Sequence, residues 1–365
     1  MVKKLWLPTG LIILCSFVSS CTFVRFFVWN YADINDQYKF PSVPIHAVSS
    51  GTFHFMQGQK NLVIQQIPGT RDVPFSQILS DNMTTAFLII RNDSIVYETY
   101  DEGIKQSDYL PSFSVSKSFV ATLAGIAIGE GKIPDTKQVV TDYLPWMTKP
   151  GFEKITMEDL LNMRSGLDFE ESYRSPFSLM PKYYYGRNMK RYLKQLKVAG
   201  PPDKTYVYQS VNSLILGLMI QQAVGKPLNQ YLEEKLWSPM GMESDASWST
   251  DNKNTIKYFC CINAVARDYA RFGRLYLNKG EWNGKQLVPK AWMERTMSVV
   301  NDSRDGEGFG YTYCWRVTPK GAIFAKGILG QYIYVYPKKK VIIVRLGKKN
   351  GISWGKLCEK LVDQL

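Results

Sequence analysis

The sequence predicts an α+β (mixed α/β) fold: one antiparallel sheet flanked by helices, with a helical lobe inserted between its strands. Three observations carry this. Two apolar runs around Arg91-Asn92-Asp93-Ser94 read as a hairpin between Thr85 and Tyr100, strand-like segments return between Phe309 and Leu346, and helical spacing dominates what lies between. Strands from both ends of a domain can share a sheet only if the middle of the chain leaves and comes back. A cleft between the two lobes is then the natural place for a ligand.

With 365 residues, 45% hydrophobic and 13% aromatic, the chain can bury a large core. A net charge of +13 favours anionic surfaces such as phospholipid headgroups or acidic polymers. No zinc-finger spacing or basic helix is present, so nucleic acid is not an expected partner, and Lys338-Lys339-Lys340 reads as a solvated hairpin turn. The chain has 2 histidines, His46 and His54, both near the N-terminus. That scarcity argues against a Ser-His-Asp triad and a hydrolytic zinc site, so no metal or other cofactor is expected. A hydrolase built on this chain must move protons with Lys, Tyr or a carboxylate.

Residues 1–20 read as an export signal: Lys3 and Lys4, an apolar run from Leu5 to Val18, then Ser19-Ser20 ahead of Cys21. Val18-Ser19-Ser20-Cys21 resembles the bacterial lipobox, which implies a mature chain starting at a lipid-modified Cys21 and held at the cell envelope, on the periplasmic face of a membrane. An uncleaved anchor is the alternative, because Phe23 to Trp29 is again apolar. Cleavage would lower the charge from +13 to +11, leaving the surface basic. Of the remaining cysteines, the adjacent Cys260 and Cys261 are expected to be buried thiols, since a chain with its own core does not need disulfides.

The stretch from Asn30 to about Ser80 is rich in Pro, Gln and Asp, so residues 21–80 are expected to form a spacer or arm and residues 81–365 the hydrolase domain. After the hairpin, Ser114 to Gly131 keeps apolar residues at helical spacing through Ala127 and reads as a buried helix. Leu160-Leu161, Leu214 to Val224 and Ala264 to Leu277 mark further helices. Phe309 to Arg316, Ala322 to Phe324, Gln331 to Tyr336 and Val341 to Leu346 read as strands, and a last helix runs from about Trp354 to Leu365.

Ser114-Val115-Ser116-Lys117 fits Ser-x-x-Lys, a pattern common enough that a second match occurs at Ser353 to Lys356. Context separates them. Ser114 follows the extended Leu110-Pro111-Ser112-Phe113 and opens the buried helix, whereas Ser353 lies near the C-terminal tail. Residues three apart share a helix face, so the Lys117 amine can reach the Ser114 hydroxyl, and the helix N-terminus offers N–H groups to a developing oxyanion. From the motif alone, an N-capping Ser114 and a surface Lys117 stay equally open.

The run Pro111 to Leu123 resembles the nucleophile segment of class C β-lactamases and related serine hydrolases. Ile155 to Leu167, Tyr208 to Gly217, Ala266 to Leu277 and Gly327 to Pro337 resemble further segments of that family in the same order, so the likeness spans about Thr84 to the C-terminus. It implies the penicillin-binding protein and β-lactamase superfamily fold, with Tyr208 beside Ser114 and Lys117 as proton carrier. A free tyrosine ionises near 10, so a neighbouring ammonium is needed to favour its phenolate.

Two departures bear on substrate. Ser210 stands where the family has the Asn of Tyr-x-Asn, and the Lys-Thr-Gly strand is reduced to Lys326-Gly327. Gly327-Ile328-Leu329-Gly330-Gln331-Tyr332 and the Tyr-x-Ser form resemble the 6-aminohexanoate-dimer hydrolase subgroup. The Ile328 N–H beside Gly327 is the expected second oxyanion donor, with Ser114 N–H the first. The same resemblance places Tyr173 at the cleft, while its neighbours Glu170 and Glu171 either receive a substrate amine or are solvated. The expected function is hydrolysis of small amides or carboxylic esters through an acyl-enzyme on Ser114. Alternatives are a penicillin-binding D,D-peptidase or β-lactamase, and a non-catalytic module binding anionic envelope polymer.

Overall fold

The computed structural model describes Arg25 and residues 31–48, 51–58, 62–64, 67, 72–173, 178–299 and 302–365. The signal segment and Cys21 lie outside these residues.

In chain order the first strands are β1 (Ser42–Ile45), β2 (Met56–Gln57), β3 (Thr84–Arg91), β4 (Ser94–Tyr100), β5 (Leu110–Pro111), β6 (Ala246–Ser249) and β7 (Ile262–Ala264). They are followed by β8 (Glu281–Trp282), β9 (Lys285–Gln286), β10 (Gly310–Thr312), β11 (Trp315–Val317), β12 (Ile323–Gly327), β13 (Gln331–Tyr336) and β14 (Val341–Gly347). The main sheet has 8 strands in the order β10-β11-β12-β13-β14-β3-β4-β2, and a second has 4 in the order β1-β6-β7-β5. Neighbours in the main sheet are antiparallel except at its edge, where β2 of the N-terminal arm runs parallel to β4. The arm also supplies β1, paired antiparallel with β6.

Alternation along the central strands builds two cores. Ala86, Leu88 and Ile90 of β3, Ile333 and Val335 of β13 and Ile342 and Val344 of β14 face one cluster with Phe119, Leu123 and Phe272. Phe87, Ile89, Tyr332, Tyr334 and Ile343 face the other, against Phe75, Trp354 and Leu361. Helices therefore cover both faces, and strands buried on both sides read as nearly unbroken apolar runs. On the first face the helix Ser116–Gly129 packs against the helix Ser210–Val224. Its Phe119 stacks on Phe272 of the helix Ala266–Leu277 with ring centroids 3.6 Å apart.

The Thr85–Tyr100 hairpin forms as expected: Asn92 and Asp93 take φ of 51° and 59°, the left-handed pair a two-residue hairpin turn requires. The Phe309–Arg316 strand does not form as one piece. Tyr313 and Cys314, at φ 43° and 63°, break it into the hairpin β10–β11. Their backbone N–H groups go instead to Asn162 Oδ1 at 3.2 Å and to Leu161 O at 3.1 Å. Those acceptors end the helix Met157–Leu161, whose start is fixed by a capping box of Thr156 and Asp159. Ser353, in the second Ser-x-x-Lys, caps the helix Trp354–Leu361 and gives its hydroxyl to Glu307.

Candidate active site

β5 pairs with β7 and delivers the chain into a single 3-10 turn, Phe113–Val115, ahead of the helix Ser116–Gly129. Ser114 thus sits in that turn and is no N-cap; the cap position is Val115 and carries no side-chain cap bond. Phe113 holds a left-handed φ of 43°, a conformation a bulky residue keeps only where its surroundings impose it. The surroundings are residues 259–262. Ser112 N donates to Ile262 O at 2.8 Å, Cys261 N to Phe113 O at 3.3 Å, and Ile262 N to Ser116 Oγ at 3.0 Å.

Lys117 is buried, and its Nζ donates to Ser114 Oγ at 2.8 Å and to Phe259 O at 2.8 Å. Among the described residues no carboxylate pairs with it. An amine buried without a counter-charge and aimed at a hydroxyl marks a functional-site candidate. Phe259 left no signal in the sequence, because it contributes a backbone carbonyl. The cysteines beside it are disulfide-bonded to each other, not the free thiols expected. The bend that lets the segment wrap the Phe113–Val115 turn brings neighbouring sulfurs together, with Cys261 at φ 75°.

Tyr208 precedes the helix Ser210–Val224, and its ring centroid lies 5.1 Å from Lys117 Nζ. The next two residues bind the loop that carries Tyr173. Gln209 Nε2 donates to Leu167 O at 2.9 Å and Phe169 O at 2.8 Å. Glu171 accepts from Ser210 N at 2.7 Å, Ser210 Oγ at 2.6 Å and Tyr173 Oη at 3.1 Å. Glu171 is therefore spent on the helix N-terminus, where a negative charge is favourable, and is not simply solvated. Burial, and then the Glu171 carboxylate, push the Tyr173 hydroxyl well above its usual range, so it stays a neutral donor.

β12 closes the other side. A side chain on Gly327 would stand 2.6 Å from Ser112 O and 3.1 Å from Ser114 N, so only glycine lets the strand reach the Phe113–Val115 turn. The half-buried Ile328 follows, in a turn where Leu329 and Gly330 take φ of 61° and 82°. Buried groups hold this turn from behind. Gln331 Nε2 donates to Ile328 O at 3.2 Å and Gly347 O at 2.7 Å, and Arg345 Nη1 donates to Leu329 O at 2.8 Å and Gly330 O at 2.7 Å. Burial lowers the Arg345 guanidinium to about 9. Lys326, the remnant of the Lys-Thr-Gly strand, pairs with Glu307.

Ser114, Lys117, the Tyr208 ring and the Gly327 turn thus meet at one place, and Ser210 and Tyr173 adjoin it through Glu171. His46 and His54 are exposed and bond to Asp245 and Glu243. Among the described residues no group of three or more His, Cys, Asp or Glu could hold a metal, and no helix is long and apolar enough to cross a membrane.

A serine held by a buried lysine at the mouth of a helix, beside the end of a strand of an antiparallel sheet, is the arrangement of a class of serine hydrolase, and the sequence falls within it. Residues 75–353 match the beta-lactamase family model, and the chain belongs to that family. Among individual relatives, it is 27% identical over 298 residues to the 6-aminohexanoate-dimer hydrolase of Paenarthrobacter ureafaciens, covering 76% of each chain. A Bacillus anthracis protein proposed as a 6-aminohexanoate-dimer hydrolase shares the fold at a TM-score of 0.77 and 23% identity, over 93% of both chains. A class C beta-lactamase superposes at 0.62 with 18% identity, over 80% of this chain and 94% of its own.

Proposed function

We propose that the protein hydrolyses small amides or carboxylic esters by acyl transfer through Ser114. The observation that carries this reading is the 2.8 Å contact of the buried Lys117 Nζ with Ser114 Oγ, close to the Tyr208 ring. In it, Tyr208 takes the serine proton as Oγ attacks the carbonyl carbon, then gives it to the leaving amine or alcohol. Water deacylates the enzyme by the same route in reverse. Lys117 favours negative charge on Tyr208 and orients Ser114. The Ser114 and Ile328 N–H groups receive the oxyanion, with Gly327 setting their separation. Ser210 and Tyr173, both tied to Glu171, shape the leaving-group side. The relative that acts on 6-aminohexanoate dimer, an amide, supports the amide reading. The pairing of Lys326 with Glu307 removes a cation that could hold a β-lactam carboxylate, which disfavours a β-lactamase or D,D-peptidase.

The test is a labelled fluorophosphonate with peptide mapping, alongside hydrolysis of short amides, esters and β-lactams by wild type and Ser114→Ala. Labelling at Ser114 and loss of hydrolysis in the variant are expected. Labelling elsewhere, or none, overturns the assignment, and stable acylation by a fluorescent penicillin favours the peptidase alternative. We also propose attachment to the envelope membrane through a lipid on Cys21, supported by the apolar leader ahead of it. Metabolic labelling with an alkynyl fatty acid should mark wild type and not Cys21→Ala.

A further inference from the structure

Arg316 lies on β11, in a strand otherwise apolar, and only 7% of it is exposed. Its Nε donates to Asp305 Oδ2 at 2.9 Å. Asp305 is itself fixed, since Oδ1 accepts from Glu307 N at 2.9 Å and Phe309 N at 3.1 Å. The guanidinium carbon stands 5.5 Å from the centroid of the Tyr208 ring and 5.4 Å from that of Tyr311. Lys117 Nζ lies 5.1 Å from the same Tyr208 ring. One tyrosine therefore has two buried cations from two different elements within 6 Å, a distance at which opposite charges interact strongly away from bulk water.

We propose that Arg316 is a positioning residue for catalysis: its fixed guanidinium acts with Lys117 to stabilise the Tyr208 phenolate that takes the serine proton. This rests on the acyl-transfer reading above. The other groups around Tyr208 and Arg316 are neutral tyrosines and two carboxylates already held by hydrogen bonds. Tyr311 and Tyr206, on the same side as Arg316, and Tyr173, on the loop, are all pushed upward by burial and stay neutral. Glu171 is engaged by Ser210 and Tyr173, and Asp305 offsets part of the Arg316 charge while holding it in place. Burial opposes the guanidinium charge, and the Asp305 carboxylate bonded to its Nε helps to keep it.

Steady-state hydrolysis of a 4-nitrophenyl ester across pH, on the full chain, tests this. Arg316→Met is expected to lower kcat about tenfold, leave KM within about twofold, and move the acidic limb of kcat/KM up by about one pH unit. Arg316→Lys should restore the limb and most of kcat. Asp305→Asn should move the limb the opposite way, because it removes the charge that offsets Arg316. A purely structural role would lower activity in all three without moving the limb, and an effect on KM alone would point to substrate binding; either overturns the proposal. If Arg316→Met does not fold, the direction of the Asp305→Asn shift decides, and an unmoved limb or one shifted upward counts against it. Ser114→Ala separates the two readings: hydrolysis that survives it defeats the acyl-enzyme reading, whereas its loss with an unmoved limb in Arg316→Met defeats only the Arg316 assignment.

Discussion

Lys117 Nζ donates to the carbonyl oxygen of Phe259 at 2.8 Å, across 142 residues of sequence. The amine nearest Ser114 is thus held by a segment that also grips the turn in front of it. A lysine pulled toward Phe259 cannot swing away from Ser114, which is the preorganisation that acyl transfer needs.

Lys117→Met should therefore lower kcat/KM for ester hydrolysis by about a thousandfold or more, a loss typical of removing a base or its electrostatic partner. Stability should change little, because a methionine of similar length removes a buried amine that has no carboxylate partner. Ester kinetics and thermal melting of the same preparation check both halves.

The Cys260–Cys261 disulfide joins the residues between Phe259 and Ile262, so its reduction should loosen the grip on Phe113 and Lys117. A dithiol should add two protons and two electrons to form two thiols and lower kcat about threefold, with KM nearly unchanged. Alkylation under non-reducing conditions, read by mass spectrometry, should leave both cysteines unmodified. Alkylated Cys260 or Cys261 without reductant would contradict the pairing.

Gly327→Ala would push β12 off the nucleophile turn, since its Cβ would stand 2.6 Å from Ser112 O. The expected loss is about a hundredfold in kcat, the scale of a displaced oxyanion donor. Fluorophosphonate labelling should slow in parallel, although Ser114 and Lys117 are both intact.

Glu171→Gln keeps the shape of the side chain but loses the charge that accepts from Ser210 N, Ser210 Oγ and Tyr173 Oη. A cost of about 1–2 kcal/mol in unfolding free energy is expected from the weakened charge-assisted bonds. KM should rise several-fold as the Tyr173 loop loosens. Denaturant melts and ester kinetics separate the two effects.

Asp268, fully buried in the first turn of the helix Ala266–Leu277, is pushed up to about 7 by burial, which the nearby Arg271 only partly opposes. The folded chain therefore holds this proton to a higher pH than the unfolded chain does. The stabilising contribution is complete below about pH 4, the ordinary aspartate range, and is lost as pH rises through about 7. Wild type should lose stability relative to Asp268→Asn between about pH 4 and 7, seen as a difference in Tm that changes by a few degrees. A pH-independent difference would contradict it.

Much of the fold was legible because its signals are local. Asn92-Asp93 sets the hairpin, the apolar spacing after Ser114 sets the buried helix, and Gln331 to Tyr336 is a strand with the boundaries its alternation suggests. The Phe309–Arg316 segment was misread because its break comes from acceptors at the end of a distant helix, which no window of sequence contains. The site followed the same division. Ser114 and Lys117 share a helical face and could be paired from spacing, whereas Tyr208 needed a family resemblance. Glu171 was noticed for its charge but not for its partners. The Phe259 carbonyl and the Cys260–Cys261 bond depend on where a long loop returns, and Arg316 stands out in the sequence only as a lone charge ending an apolar run.

The pairing of β3 with β14 joins Thr84–Arg91 to Val341–Gly347. Those strands sit at the centre of the main sheet, so its middle cannot close until nearly the whole chain has been made. Ser114 emerges early, but the Gly327 turn and the Arg345 and Gln331 side chains that brace it come from the last tenth or so of the sequence. Contacts between such distant segments carry a large loop-closure cost and form late. A nascent or C-terminally truncated chain would thus carry Ser114 without the strand that completes the site, and the proposed catalysis would switch on only with final closure of the sheet.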